Sequence, residues 1–369
     1  MVRSTNPLFR RLAGMTSPMR GRFGPVFESM EAKPVRRRRV SALTRAALFA
    51  GAALALYGAA CGDAVAAARA DRYPDKPVRM IVSFPPGSGP DILARTLGQR
   101  LDRIWGQQLI VENRPGAGGN IAMGMTASAP PDGYTLIVLS NQLAINPSLF
   151  RKVPYDPVKS FAPVTLATWT PNVLVVHPSL PVKTVKDLIS LAKAKPGALN
   201  FSSGGNGSVG HLAGELFKSM AHVGIVHVPY KGPVEALTAL FNGEVSLAFL
   251  IAPQALPNVK AGRLRALAVT STKRFKAAPE LHTLDESGLR GYDVVAWQGI
   301  LAPARTPPGV VRTLHDDIVR VLGEPEIQAN LGKLGLDVIA DTPQGFSGFI
   351  KTEVAKWARV VKASGANVD

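Results

Sequence analysis

Two glycine-rich loops are the segments of this sequence whose residue types and spacing best suit the binding of a small anion. The first reads Pro85-Pro86-Gly87-Ser88-Gly89-Pro90-Asp91, and the second reads Ser203-Gly204-Gly205-Asn206-Gly207-Ser208. Each follows an apolar run and precedes a helical pattern, so each supplies free N–H groups at a helix N-terminus, where the helix dipole also favours negative charge. Glycine allows close approach because it has no Cβ. The pair of loops predicts a site that holds an anion with neutral donors.

Both loops also have a structural interpretation. Ser88 and Asp91 have the spacing of a capping box, and tight strand-to-helix turns use glycine without any ligand. The second loop contains Gly205-x-Gly207-x-x-Gly210, the spacing of a dinucleotide fingerprint. The acidic residue that this fingerprint needs about 20 positions later is absent, because the chain there reads His227-Val228-Pro229-Tyr230-Lys231. We therefore predict no nucleotide cofactor.

The sequence carries no recognisable catalytic or metal-binding motif. It has neither a Gly-x-Ser-x-Gly elbow nor a His-Glu-x-x-His pair, and its only cysteine is Cys61. His211 and Glu215 are four residues apart on a predicted helix and could supply two metal ligands, but no second acidic or histidine cluster accompanies them. A polar pair on a solvated helix face is the commoner case. We predict no metal, no cofactor and no enzymatic activity.

The elements that position these loops follow an α/β pattern with largely parallel sheets, because short β-rich runs alternate with helical patterns such as Leu93, Leu97, Leu101 and Ile104. We predict strands at 78–84, 109–112, 135–139, 173–177, 200–202, 225–228, 245–250 and 266–270. Two segments divide the chain. The first is a Pro-rich connection at 153–163, and the second is a break at 291–298, after which the chain is mostly helical. The two crossings predict a discontinuous first lobe, 71–172 plus 297–369, which the helix at 346–362 packs against. A second lobe, 173–296, is inserted into it.

The first 70 residues predict an N-terminal extension and export signal. Four arginines, Arg36 to Arg39, precede an uncharged run at 46–62 and then small residues up to Ala70. The run is 17 residues long, shorter than the roughly 20 residues of a membrane-spanning helix. Translation can begin at Met1 or Met30, and the weak lipobox before Cys61 leaves a lipid anchor as the less favoured alternative. The expected location is the periplasm.

The formal net charge of +17 is concentrated in this extension. Residues 1–70 hold 12 Lys/Arg and 3 Asp/Glu, out of 43 and 26 in the whole chain. The remaining bases are scattered among acids, with no basic stripe interleaved with aromatic residues, so we predict no nucleic-acid partner.

Six short segments occur in an order that is specific to one protein family. They are Tyr73-Pro74-Asp75-Lys76-Pro77-Val78-Arg79, Phe84-Pro85-Pro86-Gly87, Val111-Glu112-Asn113-Arg114-Pro115-Gly116-Ala117-Gly118-Gly119-Asn120, Pro131-Asp132-Gly133-Tyr134-Thr135-Leu136, Val228-Pro229-Tyr230-Lys231-Gly232 and Leu264-Arg265-Ala266-Leu267-Ala268-Val269-Thr270. Together they resemble the Bug family of tripartite tricarboxylate transporter solute receptors, over residues 73–365.

The resemblance implies a fold, a role and a set of contact residues. The fold is the two-lobed, type II periplasmic-binding-protein fold, in which each lobe is a mainly parallel sheet flanked by helices. The protein closes by hinge motion over a small carboxylate, with ordered waters assisting, and presents it to a membrane transporter. Carried onto this chain, the ligand-binding residues are Phe84, Gly87, Ser88, Gly89, Pro90, Asp91, Asn141, Asn146, Ser203, Gly204, Gly205, Asn206, Gly207, Ser208, His211 and Tyr230.

Two departures from the family pattern bear on the ligand. The first loop of the family usually reads Gly-Gly-x-Thr-Asp, whereas this chain has Pro90 in place of a hydroxyl residue. In the second lobe the family commonly has Val-Asp-Leu-Met-Phe-Asp, whereas this chain ends the same segment in Leu250. A ligand amine that pairs with an acid there finds Leu250 instead. We expect a ligand without positive charge at that end, such as an aromatic or aliphatic carboxylate.

The sequence thus predicts a monomeric, extracytoplasmic solute-binding protein for a small carboxylate. Its macromolecular partner is either the membrane subunits of a tripartite tricarboxylate-type transporter or a sensor protein. The alternative is an exported enzyme, a hydrolase, on the same two-lobed scaffold.

Overall fold

The computed structural model describes residues 73–368, so the predicted export signal, both candidate start positions and Cys61 lie outside the described residues. The described chain contains ten strands: β1 (Val78–Val82), β2 (Leu109–Asn113), β3 (Thr135–Leu139), β4 (Phe161–Val176), β5 (Asn200–Ser203), β6 (Val226–Pro229), β7 (Leu247–Ile251), β8 (Arg265–Val269), β9 (Val295–Pro303) and β10 (Asp337–Val338).

The same residues contain ten α-helices: α1 (Gly89–Trp105), α2 (Asn120–Ala127), α3 (Gln142–Leu149), α4 (Val185–Ala194), α5 (Val209–Ala221), α6 (Pro233–Phe241), α7 (Ala252–Lys260), α8 (Pro308–Leu322), α9 (Pro325–Lys333) and α10 (Pro343–Ser364). Within 73–368 we find no helix with the length and apolar character needed to cross a membrane.

The first lobe is built on a sheet with the strand order β2-β1-β3-β9-β4. β1 pairs in parallel with β2 and β3, whereas β9 pairs antiparallel with β3 and β4. Alternate residues of β1 enter different cores, because successive strand side chains point to opposite faces. Met80 packs with the apolar face of α1, and Ile81 packs on the other side with Phe346 of α10. Burial on both faces explains why these strands are continuously apolar.

The second lobe repeats this arrangement with the strand order β4-β7-β5-β6, and β8 also pairs with β4. β5 pairs in parallel with β6 and β7, whereas β4 pairs antiparallel with β7 and β8. Leu174 and Val173 enter the cores on opposite faces of this sheet. Both sheets are therefore mixed: their outer strands are parallel, and their strands at the junction are antiparallel.

The chain passes between the lobes along β4 and returns at the start of β9. β4 pairs with β9 from Phe161 to Pro171 and with β7 from Asn172 onward. On the return, the Val294 amide donates to the Thr270 carbonyl of the second lobe, while Val295 pairs with Pro171. Because one strand goes out and the other comes back, these two strands must be antiparallel.

The strand predicted at 173–177 covers only the end of β4, and no strand was predicted at β9. The start of β4 was wrongly interpreted as part of a Pro-rich connection. Two irregularities of register, between Pro163 and Thr165 and between Leu166 and Thr168, interrupt the alternation by which a strand is recognised. Gly299 weakens the strand pattern of β9, yet the packing requires it, because a Cβ there would lie 2.1 Å from the Phe346 ring.

The C-terminal helix α10 contacts both lobes, whereas the sequence analysis assigned it to the first lobe alone. Its first half places Phe346 and Ile350 in a core of the first sheet, and its second half places Trp357 and Val361 in a core of the second. A helix of 22 residues is about 33 Å long, long enough to reach across the junction. The buried Glu353 carboxylate accepts hydrogen bonds from the indoles of Trp297 (3.0 Å) and Trp357 (2.9 Å) at this crossing.

Candidate functional site

A cavity of about 660 Å³ lies between the two lobes, and both glycine-rich loops border it. From the first lobe and strand β9, which returns to it, the lining residues are Phe84, Gly87, Ser88, Gly89, Pro90, Ile92, Ser140, Asn141, Gln142, Ile145, Thr170, Ala296, Gln298, Leu334 and Leu336. From the second lobe it is lined by Gly207, Ser208, Val209, Pro233, Ile251 and Pro253. None of these lining residues is ionisable, and most are apolar. The cavity is therefore a neutral, largely apolar cleft of a size typical for small-molecule sites.

The first loop leads directly into the N-terminus of α1. Ser88 is the N-cap residue, but its side chain does not cap the helix, and its hydroxyl donates to the Pro85 carbonyl instead (2.7 Å). The predicted capping box is therefore wrong. Gly89 begins α1, and among the described residues no acceptor pairs with its N–H. Pro90 follows at a position where its missing N–H costs no helical bond, so the helix end remains an open anion site.

Asp91 does not line the cavity but holds the first loop in place through hydrogen bonds. Its carboxylate accepts from the Gly87 amide (2.9 Å), from Arg95 (3.0 Å) and from Asn113 (2.8 Å). Burial alone would raise the pKa of Asp91, but these hydrogen bonds outweigh it and hold the pKa below its usual range. The carboxylate therefore stays charged and fixes Gly87, whose φ of +79° suits glycine.

The second loop leads directly into the N-terminus of α5. Ser208 is the N-cap residue, and its hydroxyl accepts from the His211 amide (3.3 Å). Within the described chain the N–H groups of Val209 and Gly210 have no protein acceptor. α1 and α5 belong to different lobes, so each lobe contributes one helix N-terminus with free N–H groups to the same cavity.

Two stacked imidazoles hold the second loop from behind. The rings of His211 and His227 lie 3.9 Å apart and are nearly parallel. Nδ1 of His211 accepts from the Gly207 amide (3.0 Å), and Nε2 of His227 bonds to the Ser203 hydroxyl (2.7 Å), which also bonds to Gly205. Burial, then repulsion from His227 and Lys218, lowers the pKa of His211 to about 3, and burial and Lys218 lower that of His227 to about 4. Both rings are neutral at physiological pH.

The structure places His211 and Ser203 behind the loop and not on the cavity wall. Glu215 lies 4.0 Å from His211, but within residues 73–368 no group of three or more His, Cys, Asp or Glu side chains could hold a metal ion. Gly205 is part of the loop framework, and Asn206 is exposed outside the lining.

The two asparagines named from the sequence have different surroundings. Asn141 lines the cavity and ties α3 to β9, because its amide donates to the Val295 carbonyl (2.9 Å) and its oxygen accepts from the Trp297 amide (3.3 Å). Asn146 lies outside the cavity lining, where it donates to Asn120 and to the Gly118 carbonyl. Of the pair, only Asn141 is placed to contact a ligand.

Tyr230 and Leu250 also lie outside the lining. Leu250 is buried in a core of the second sheet beside Val173, and Tyr230 packs partly buried against the same core. The next residue, Ile251, is the one that faces the cavity. A strand alternates its side chains between faces, so a shift of one residue changes which position can contact a ligand.

Much of the apolar wall was not predicted from the sequence, and neither were four polar residues of the lining: Ser140, Gln142, Thr170 and Gln298. Leu334 and Leu336 follow α9 and reach the cavity from a distant segment, for which the sequence offered no signal. Gln298 did carry one, because it is a polar residue within the apolar run of β9. Its side chain is 6% exposed, and its Oε1 is buried without a hydrogen-bond partner.

Comparisons with known proteins agree with this architecture. A profile of the tripartite tricarboxylate transporter family receptor, TctC, matches residues 93–366. Protein BugT of Bordetella pertussis is 35% identical over 319 residues, which are 86% of this chain and 98% of BugT.

Two solved structures are similar as well. R. palustris Rpa4515 with adipate is 37% identical, with a TM-score of 0.69, and the match covers 80% of this chain and all of that one. MatC from Rhodopseudomonas palustris with bound malate is 31% identical, with a TM-score of 0.65, over 78% and 100%. These matches confirm the predicted family, the two-lobed α/β fold and a binding role in place of a catalytic one. The chain therefore belongs to the tripartite tricarboxylate transporter receptor family.

Proposed function

We propose that this protein captures a small carboxylate-bearing ligand between its two lobes by hinge closure. The observation that carries the proposal is the pair of free helix N-termini, one from each lobe, on a cavity without ionisable side chains. Neutral amides at a helix N-terminus stabilise an anion without the desolvation cost of a buried cation. The relatives bound to adipate and malate support a carboxylate as that anion.

The lack of charged side chains in the cavity lining supports the expectation that the ligand carries no amine. A buried ammonium group without a carboxylate partner is strongly disfavoured. The absence of Asp and Glu from the cavity lining therefore argues against aspartate and glutamate as ligands.

Hinge closure is supported by the connections between the lobes. We place the first lobe at 71–172 plus 297–369 and the second at 173–296, with β4 and the Val294–Val295 return as the crossing segments. A ligand that contacts both loops gains its full set of hydrogen bonds only in the closed form, so binding shifts the population toward closure.

The setting of this function is the periplasm, which a receptor with an export signal in residues 1–70 would reach. The protein acts there as a monomer and hands its ligand to transporter subunits or, alternatively, to a sensor. Edman sequencing and the intact mass of the protein from a periplasmic fraction test export, the cleavage site and lipidation at Cys61.

A ligand screen tests the central proposal. We expect a few carboxylates, and no amino acids or neutral controls, to raise the melting temperature of residues 71–369. A ligand at 100 times its Kd stabilises the folded state by about 2.7 kcal/mol. Small-angle scattering with the same ligand should show a smaller radius of gyration. A flat response to every carboxylate, or preferential binding of aspartate, would contradict the proposal.

A further inference from the structure

Two glutamines on the cavity wall have hydrogen-bonding capacity that the protein does not use. Among the residues that the structure describes, four buried side-chain atoms lack a partner, and two of them are Oε1 of Gln142 and Oε1 of Gln298. Both residues line the cavity. A buried amide oxygen without a partner costs stability. Two such oxygens on one cavity wall therefore indicate hydrogen bonds that form when a ligand is bound.

The side-chain hydroxyls of the lining cannot supply these bonds, because they already have protein partners. Ser88 bonds to Pro85, Ser140 to Asn141, Thr170 to Gly335 and Ser208 to His211. Thr168, which pairs with Gln298 across β4 and β9, does not supply the donor either, because its own hydroxyl has no partner. The unused capacity of the wall is thus concentrated in Gln142 and Gln298.

The missing partner is a hydrogen-bond donor, which a carboxylate group is not. A carboxylate and an amide oxygen both only accept hydrogen bonds, so the carboxylate of the ligand belongs at the free N–H groups of α1 and α5. The donor must come from another part of the ligand. It is neutral, because the lining offers no acidic side chain to an ammonium group. A hydroxyl group fits, since it donates to the oxygen of an amide and accepts from its NH₂.

The position of Gln298 places this hydroxyl close to the carboxylate. Its Nε2 lies beside the start of α1, where a Cβ added to Gly89 would be 2.6 Å away. Within residues 73–368 neither end of the Gln298 amide has a hydrogen-bond partner, so the amide turns about its last side-chain torsion at little cost. The oxygen can therefore face a ligand group next to the N-terminus of α1.

We infer that the preferred ligand is a hydroxycarboxylate, and that Gln298 determines this specificity by accepting a hydrogen bond from a hydroxyl group near the carboxylate. The inference rests on the proposed function and narrows it. The carboxylate binds at the helix N-termini, the hydroxyl bonds to the Gln298 amide, and the rest of the ligand lies along the apolar wall of Leu336 and Ile251. A second hydroxyl group on the ligand would also satisfy Gln142.

Sets of three probes test the ligand class by calorimetric titration. They are butyrate, β-hydroxybutyrate and β-methoxybutyrate; succinate, malate and methoxysuccinate; and phenylacetate, mandelate and α-methoxyphenylacetate. The methoxy compound keeps the oxygen but loses its proton, so it isolates the donated hydrogen bond. In any set that binds, we expect the hydroxy acid to bind about tenfold or more tightly than both others, because the analogues leave the amide oxygen unpaired.

The outcomes separate this inference from the proposed function. Equal affinities within every set that binds, or a tightest carboxylate without a hydroxyl group in the wider ligand screen, would contradict the inference and leave the proposed function standing. Binding of no carboxylate at all would contradict both.

Variants of Gln298 test the residue through the ratio of the Kd values of the methoxy and hydroxy compounds. Gln298→Met keeps the length of the side chain but removes the amide, so the ratio should fall from about tenfold or more to about one. A purely structural role would change both Kd values equally. Gln344→Met makes the same change on the exposed face of α10 and should keep the wild-type ratio. Gln298→Asn, which withdraws the amide from α1, should also lower the ratio and replaces the methionine variant if that variant fails to fold. A wild-type ratio in a folded Gln298 variant would overturn the assignment.

Discussion

The stacked imidazoles behind the second loop predict a loss of stability in mild acid. In the unfolded chain a histidine binds a proton near pH 6.5, whereas burial keeps His211 and His227 neutral in the folded protein until about pH 3 and 4. Above pH 6.5 neither state is protonated, and the pair has no effect on stability. As the pH falls below 6.5 the unfolded state alone takes up protons, so the free energy of unfolding decreases.

The magnitude follows from the pH interval. Between pH 6.5 and pH 5 each histidine that stays neutral in the folded protein, the buried His211 and the half-buried His227, lowers the free energy of unfolding by about 2 kcal/mol, because each pH unit is worth about 1.4 kcal/mol. The two rings together predict a loss of about 4 kcal/mol. The charged groups nearest the pair are Lys218, which opposes protonation, and Glu215. Carboxylates with lowered pKa values, such as Asp91, contribute only at lower pH.

Urea unfolding, followed by the fluorescence of the buried Trp297 and Trp357, measures this loss at pH 7.5 and pH 5. His211→Asn keeps an acceptor for the Gly207 amide, and His227→Gln keeps a partner for Ser203. Each variant should lose about half of the contribution of the pair, and the double variant all of it. The remaining pH dependence then comes from other groups, such as Asp293 and Asp337, whose pKa values are raised by burial.

His282→Gln replaces an exposed histidine away from the second loop and serves as the control. The decisive comparison is between the wild type and the double variant. If both lose the same free energy of unfolding between pH 7.5 and pH 5, the imidazoles do not hold the loop as neutral hydrogen-bond partners.

Three further predictions concern single side chains. Gly207→Val should lower the free energy of unfolding by about 2–3 kcal/mol, because φ is +75° and a Cβ would lie 2.2 Å from Leu149. Gly262→Val is the control: φ is also positive there, but no atom lies within 4 Å of an added Cβ, so this variant measures the backbone contribution alone. Glu353→Leu should cost about 3 kcal/mol or more in urea unfolding, since two indoles lose their acceptor, whereas Glu353→Gln should retain part of it. Asp91→Asn should destabilise the protein at pH 7, and the deficit should shrink as the pH falls below about 4, because the unfolded wild-type carboxyl then binds a proton while the folded one stays charged down to its lowered pKa. A constant deficit across that range would refute the ionic role of Asp91.

The elements that local patterns specify were predictable. The α1 stripe is fully buried as expected at Leu93, Leu97 and Leu101, because a helical period of 3.6 residues fixes which side chains share a face. Its fourth predicted member, Ile104, is 38% exposed at the end of the helix. Strand β3 occurs at the predicted residues, because a short apolar run between turns has few alternatives. The first part of β4 and the whole of β9 were not predictable, because their stability comes from pairing with each other across more than 120 residues and tolerates bulges, proline and glycine.

By itself, the sequence determined the two glycine-rich loops, the helices that follow them and the family to which the chain belongs, because these depend on residues that are neighbours along the chain. Only the tertiary structure decided which atoms face the cavity. Asp91 and His211 hydrogen-bond to the loops and do not line the cavity. Leu250 is buried in a core, so Ile251 lines the cavity instead. Gln298 and Leu336, from distant segments, lie beside Gly89. Such contacts depend on strand register and on the packing of distant segments, which no local pattern encodes.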